Sequence, residues 1–324
     1  MTERNGLLAA FLLDGHGGGT PLQWSDVKSW TPAAGPLWVH LDYLHPDAVM
    51  WLENDSDLDL SVAAALTADE TRPRSVASHG GLLVILRGVN LNPGSDPEDM
   101  VAVRMWMDEH RIITTQHRRV RAMEAVEASL VEGEGPTNSS SFLVEVTDGL
   151  NSRIGSILSE LDDRVDALED KVLEGESYTL RAEIGSLRRE IISLRRYLAP
   201  QRDAVARLQN ERVEWLDEVS RVHLREIADR TIRHVEDLDS ARDRAAVTQD
   251  ELNSRLSERM NKTMFVLSIV AGIFLPLGLL TGLLGINVGG IPGTESSSAF
   301  LVVCVILLAL GGLQLVLFKR MRFF

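Results

Sequence analysis

Two long runs without a charged side chain constrain this chain more than any other feature. Met264 to Leu284 and Ala299 to Phe318 each extend about 20 residues. As helices rising 1.5 Å per residue, each reaches about 30 Å, the thickness of a bilayer's hydrocarbon core. No other segment is uniformly apolar, so a soluble core would have nothing apolar enough to cover them. Residues 286–298 between the runs are rich in Gly and Ser, hold Pro292 and carry one charge, Glu295. The reading is a membrane hairpin: a first span over 263–285, a loop over 286–298, a second span over 299–318 and a basic tail over 319–324. Arg255, Arg259 and Lys262 precede the first span, Lys319, Arg320 and Arg322 follow the second, and the loop has no Lys or Arg. By the positive-inside rule, both termini are expected in the cytoplasm and the loop outside.

Composition fits an acidic cytoplasmic body joined to an apolar hairpin. The 324-residue chain carries a net charge of −14 with 25% charged residues, which argues against a nucleic-acid partner. The sole cysteine, Cys304, falls in the second span; no disulfide and no thiolate zinc cluster can form within one chain. No cleavable signal is visible, because the apolar run Leu7 to Leu13 is short and follows an acidic Glu3.

Residues 1–140 read as an α/β domain. Leu7 to Leu13, Leu37 to Leu41, Leu82 to Leu86, Val101 to Met107 and Arg111 to Thr115 are expected strands, bounded by Gly, Pro and Asp signals. Pro46 to Leu52, Leu60 to Ala68 and Val120 to Glu132 are expected helices, and Asn92 to Pro97 the turn of a hairpin. Gly15-His-Gly-Gly-Gly19 lacks the Lys-Ser/Thr and the helix start that a phosphate loop needs. Residues 141–199 are expected to form an antiparallel helical pair, Phe142 to about Glu174 and Thr179 to about Leu198, turning at Gly175 to Tyr178. Val205, Leu216, Ile227 and Leu238 recur every eleven residues, with Leu208 and Val219 offset by three. That period keeps a stripe on one side of a straight helix, so one rod is expected from Pro200 into the first span, its stalk occupying 200–262. A stripe so long requires other helices, from the preceding hairpin and from neighbouring subunits, hence an expected symmetric oligomer.

Within the first span, Met264, Leu267, Ala271, Leu275 and Gly278 share a face, continued outward by Gly282 and Gly285. Small residues on a lipid-embedded helix serve close packing; the same face can also line a narrow apolar conduit. No Asp, Glu, His or Lys lies in either span, so an ion must cross largely hydrated or be held by backbone and amide oxygens.

Phe274-Leu-Pro276, Thr281-Gly-Leu-Leu-Gly285-Ile286-Asn287, Gly290-Ile-Pro-Gly293 and Phe318 to Phe324 resemble the CorA superfamily of divalent-cation transport proteins, and within it the zinc-transporter branch, ZntB. Upstream matches are Trp38 to Asp42, Arg72-Pro-Arg74, Met107 to Glu109 and Arg195 to Asp203. The superfamily's Gly-Met-Asn is Gly-Ile-Asn here, and its Thr after the proline is Gly278. The resemblance implies an α+β membrane protein: an α/β/α cytoplasmic domain, a stalk helix and two C-terminal transmembrane helices, assembled as a funnel-shaped homopentamer in the bacterial inner membrane. It implies that Gly285, Ile286 and Asn287 form a selectivity ring, with Glu295 in the outer loop attracting cations. His223 and His234, eleven residues apart on one stalk face, are weak metal-ligand candidates about 16 Å apart along the helix. No resident cofactor is expected; the cargo is Zn²⁺ or another divalent cation, driven by a gradient, with proton coupling open. A magnesium, cobalt or nickel channel is the alternative, and a membrane-anchored sensor or scaffold a more distant one. No nucleophile–base pair or metal triad suggests an enzyme.

Overall fold

The computed structural model describes residues 6–78, 80–174, 179–285, 293 and 296–320. The chain divides into two units, Met1–Gln249 and Asp250–Phe324. In chain order the elements are β1 (Leu7–Leu13), β2 (Gly19–Pro21), α1 (Trp24–Ser29), β3 (Leu37–Asp42), α2 (Pro46–Asn54), α3 (Leu60–Thr67) and β4 (Arg74–Ser78). Then come β5 (Gly81–Gly88), β6 (Val101–Met107), β7 (Arg111–Gln116), α4 (Arg121–Glu132), α5 (Ser139–Glu174), α6 (Thr179–Leu208), α7 (Glu218–Leu284) and α8 (Ala299–Arg320).

In the first unit, seven strands form one mixed sheet in the order β2-β1-β3-β7-β6-β5-β4. Only β3 and β7 pair in parallel; β5 and β6 form the antiparallel hairpin expected around Asn92 to Pro97. Both faces are covered, which is why the central strands read as apolar runs rather than alternating ones. Leu82, Val84, Leu86, Val103, Met105 and Met107 face a core shared with α4 and the ends of α5, α6 and α7. Leu37, Val39, Leu83, Trp106 and Ile113 face a second core with α1, α2 and α3. Trp38 sits between Phe11 and Phe142, ring centroids 5.7 and 5.1 Å away, and its Nε1 donates to Thr114 Oγ1 at 2.9 Å. The glycine cluster at 15–19 is the tight β1–β2 connection, where Asp14 accepts from the main-chain N–H of His16 and Gly18. Gly17 there has φ +106°, and a Cβ on it would lie 2.7 Å from the Gly133 carbonyl.

Beyond the sheet, α5, α6 and α7 form a three-helix bundle with α6 antiparallel to both neighbours. Arg164 pairs with Glu190 and Lys171 with Glu183 between α5 and α6, while Arg195 pairs with Asp239 between α6 and α7. α5 and α7 run parallel: Arg230 bonds Asp148, Thr231 Oγ1 meets Asn151 at 3.0 Å, and Arg244 gathers Asp162, Asp166 and Glu169. Buried positions recur at alternating steps of three and four. They include Leu187, Ile191, Leu194 and Leu198 on α6, and Leu224, Ala228, Thr231, Val235 and Leu238 on α7. This is the coiled-coil rhythm that supercoils left-handedly.

The single rod expected from Pro200 is corrected. Pro200 lies inside α6, which continues to Leu208, and α7 begins only at Glu218. Val205 and Leu208 therefore belong to a different helix from Ile227 and Leu238, and Val219 is exposed at 67%. The eleven-residue stripe is not a structural period; the stalk keeps a seven-residue one. α6 survives its proline because Gln201, one residue on, bonds both the N–H and the carbonyl of Arg87, at 2.6 and 3.0 Å, and so clamps the helix to β5. The break after Leu208 is held by Arg221, whose guanidinium donates to the carbonyls of Gln209, Val213 and Leu216. Asp217 then caps α7, accepting from Ser220 N–H at 2.8 Å. The expected corner at Gly175 to Tyr178 lies outside the described residues.

Candidate functional site

In the second unit, the apolar parts of α7 and α8 bury none of their residues inside the protein, and both are long and apolar enough to cross a membrane. The two helices meet on one face only. Phe265, Ile269, Gly272, Ile273, Leu277 and Leu280 of α7 are half buried, and a Cβ on Gly272 would lie 2.9 Å from the Phe318 ring of α8. At 100° per residue these positions centre on the side of the helix opposite Met264, Leu267, Ala271, Leu275 and Gly278. Met264, Leu267 and Leu275 are 57%, 62% and 71% exposed, and nothing stands within 4 Å of a Cβ placed on Gly278 or Gly282. Contact with the second helix therefore leaves the face singled out from the sequence uncovered.

The hydroxyls of this segment are turned back on their own helix. Ser268 Oγ donates to the Met264 carbonyl at 2.8 Å and Thr281 Oγ1 to that of Leu277 at 3.0 Å. The uncovered face is thus wholly apolar, as a constriction that closes by excluding water requires. α7 passes through Pro276, which has no N–H to return to the Gly272 carbonyl one turn earlier. The helix ends as Gly285 N–H bonds the Thr281 carbonyl at 2.9 Å. Ile286, Asn287 and Glu295 lie outside the described residues. Sequence reasoning overlooked Gln314, an amide inside α8 whose Oε1 is buried without a described partner; a lone glutamine in an apolar run was the available signal.

The two histidines are held apart in different surroundings. His223 is exposed in a groove between α5 and α7, beside Asp148, Asp217, Glu226 and Arg230. His234 is half buried against α5, its Nε2 3.1 Å from where a Cβ on Gly155 would stand. Burial pushes its pKa below the ordinary value, partly opposed by Asp237. Among the described residues no three His, Cys, Asp or Glu side chains gather as a metal site. Of the upstream motifs, Trp38 to Asp42 is core: His40 is buried and joined to Thr114 Oγ1 at 2.7 Å. Arg195 to Asp203 lies on α6 and divides its work, Arg195 pairing with Asp239 and Gln201 gripping β5.

The chain thus holds a mixed sheet covered on both faces, a coiled three-helix bundle and two uncovered helices long and apolar enough to cross a membrane. Residues 33–320 match the family described as CorA-like Mg²⁺ transporter protein, and the chain belongs to that family. It is 39% identical over 301 residues to the zinc transport protein ZntB of Yersinia enterocolitica, covering 93% of this chain and 91% of that one. It resembles the structure of the full-length CmaX protein with a TM-score of 0.87 at 35% identity, covering 99% of both chains. The fold also matches the CorA magnesium transporter of Methanocaldococcus jannaschii, with a TM-score of 0.81 at 16% identity over 98% of both chains. The family is one of transporters rather than enzymes.

Proposed function

We propose that this protein carries divalent metal cations, zinc first, across the cell membrane through the axis of a homopentamer. The observation that carries the reading is the uncovered face of α7. Met264, Leu267, Ala271, Leu275 and Gly278 point away from α8 and include small residues that allow five helices to approach closely. An anchoring hairpin has no need of such a face. Both termini lie in the cytoplasm by the flanking charge, and residues 286–298 face outward, where Asn287 amides hydrogen-bond the water shell of the entering ion and Glu295 raises its local concentration. Met264, Leu267 and Leu275 close the passage by dewetting. Zinc rather than magnesium is favoured by the relatives named for zinc transport, which cover more than nine-tenths of this chain.

Uptake of zinc into proteoliposomes, with and without an imposed pH gradient and with magnesium as competitor, tests the reading. Zinc entry that rises with an inward proton gradient supports coupled uptake; magnesium entry alone makes the protein a magnesium channel. Cysteines placed at Met264, Leu267 and Ala271 should cross-link into ladders up to five. A protein that stays monomeric or dimeric in mild detergent contradicts the axial pore.

A further inference from the structure

A cleft of about 280 Å³ opens in the first unit where the ends of β5, β6 and β7 meet α6. Four arginines line it, Arg87, Arg104, Arg118 and Arg196, together with His117, Tyr43 and Tyr197; the acidic side chains there are only Asp69 and Asp99. A positive excess on a chain of net charge −14 requires a cause. Among the described residues, none of the four arginines forms an ion pair. Arg87 donates to the main-chain carbonyls of Met100 and Thr71, at 2.7 and 2.9 Å, and Arg104 to those of Ala68 and Asp69, at 2.6 and 3.3 Å. Arg104 is 2% exposed, and the Nε atoms of Arg87 and Arg104 are both buried with no partner among the described residues. Burial lowers the affinity of both guanidinium groups for their proton; Tyr197 favours the charge on Arg87 while Arg104 and Arg196 disfavour it, and Tyr43 and Asp69 favour the charge on Arg104. Four arginines against two aspartates leave a positive excess, and a buried cation without full compensation costs several kcal/mol. Carbonyl dipoles and ring faces meet that cost only in part.

The aromatic groups hold the arginines rather than a ligand. Arg104 lies over the Tyr43 ring at 4.4 Å, and Tyr197 has Arg87 at 4.1 Å and Arg196 at 4.7 Å. These stacks fix the planes of the guanidinium forks, the arrangement that reads phosphate oxygens. With Tyr43 and Tyr197 so occupied, His117 is the remaining described ring of the lining.

We propose that this cleft binds a phosphate-bearing anion, which supplies counter-charge beyond that of Asp69 and Asp99 and ties α6 to the sheet through Arg196 on one side and Arg104 and Arg118 on the other. The inference is independent of the pore. It also gives the Arg195 to Asp203 motif a second task, since Arg196 and Tyr197 enter the cleft while Arg195 and Gln201 hold the helix in place.

Calorimetric titration of metal-free, full-length protein in detergent with inorganic pyrophosphate tests this. One saturable site per chain is expected, together with a rise in melting temperature. Arg118 and Arg196 are exposed, so the double variant Arg118→Gln/Arg196→Gln should fold and bind at least about tenfold more weakly, a loss of about 1.4 kcal/mol. Arg72→Gln, an exposed arginine outside the cleft, should bind as the parent does. Displacement of pyrophosphate by phosphatidic acid vesicles would assign the natural phosphate to a lipid headgroup. Displacement by glycerol 3-phosphate and not by the vesicles would assign it to a soluble ester. Absence of saturable binding of phosphate and pyrophosphate, or equal binding by the double variant, overturns the proposal.

Discussion

Acidification should weaken the cytoplasmic sheet through one side chain, His40. Its ring is buried beside Trp38, 4% exposed, with Nδ1 2.7 Å from Thr114 Oγ1. His40 Nδ1 and Thr114 Oγ1 share one hydrogen bond, and Nε2 is buried without a described partner. A second proton would place an unsatisfied charge in the core. Burial therefore holds the His40 pKa at about 4 against an ordinary 6.5, although Gln116, Thr114 and Asp42 favour the charged ring. The unfolded chain binds the proton more readily, so stability is fully present above pH 6.5 and falls as the pH drops toward 4. At 1.36 kcal/mol per pH unit, the gap between 6.5 and about 4 corresponds to about 3.4 kcal/mol. For a domain of this size that is about 10 °C in melting temperature.

The carboxylates of an acidic chain also titrate in this range, so the informative quantity is a difference. Full-length protein and a His40→Leu variant should be melted side by side from pH 7.5 to 4, following tryptophan fluorescence, which Trp38 reports from within the same cluster. The variant loses one hydrogen bond at every pH but should show the shallower pH slope, by about 3 kcal/mol over the range. Parallel slopes would refute the assignment of a neutral, buried His40.

Five further substitutions separate elements of the account. Leu238→Ala, at a bundle position 1% exposed, should cost about 2–5 kcal/mol in denaturant unfolding, whereas Val219→Ala should cost under about 0.5 kcal/mol; comparable costs would restore the eleven-residue stripe. Gly272→Val should disturb the packing of α7 on Phe318 and lower thermal stability in detergent, while Gly278→Val should leave the isolated hairpin intact and impair assembly or flux; the reverse order contradicts the faces assigned to α7. Leu275→Asn should raise ion leak through reconstituted protein, and unchanged leak with intact assembly means that this face packs elsewhere.

Regular elements were legible where local chemistry and tertiary packing agree. β1 and β6 begin and end where the apolar runs do, and α2, α3 and α4 follow their start signals, Pro46, Asp59-Leu60 and Val120-Arg121. The long helices were misjoined for a physical reason. Pro200 reads as a boundary because it lacks an N–H, yet Gln201 holds α6 to β5 by two hydrogen bonds to Arg87, a residue 114 positions away. The true start of α7 is written locally as Asp217-x-x-Ser220, a cap hidden inside a chance recurrence of apolar residues. Edge elements were missed because their sequences are short and polar: β2 is three residues, and β4 carries Arg74 and Ser78 outward. The apolar face of α7 was visible from spacing alone. The arginine cleft was not, since Arg87, Arg104, Arg118 and Arg196 are scattered over four elements and connections and only the sheet order brings them together.

The central claim, divalent-cation passage through a ring of Asn287 amides above the apolar face of α7, is tested most directly by zinc flux into proteoliposomes carrying wild-type protein or Asn287→Leu. Leucine has a similar volume but lacks the amide oxygen proposed to hydrogen-bond the ion's water shell. The account predicts that the variant inserts, assembles as the parent does and carries no zinc, with Glu295→Gln only weakening flux and more so at low salt. Wild-type zinc flux through a correctly assembled Asn287→Leu protein would contradict it.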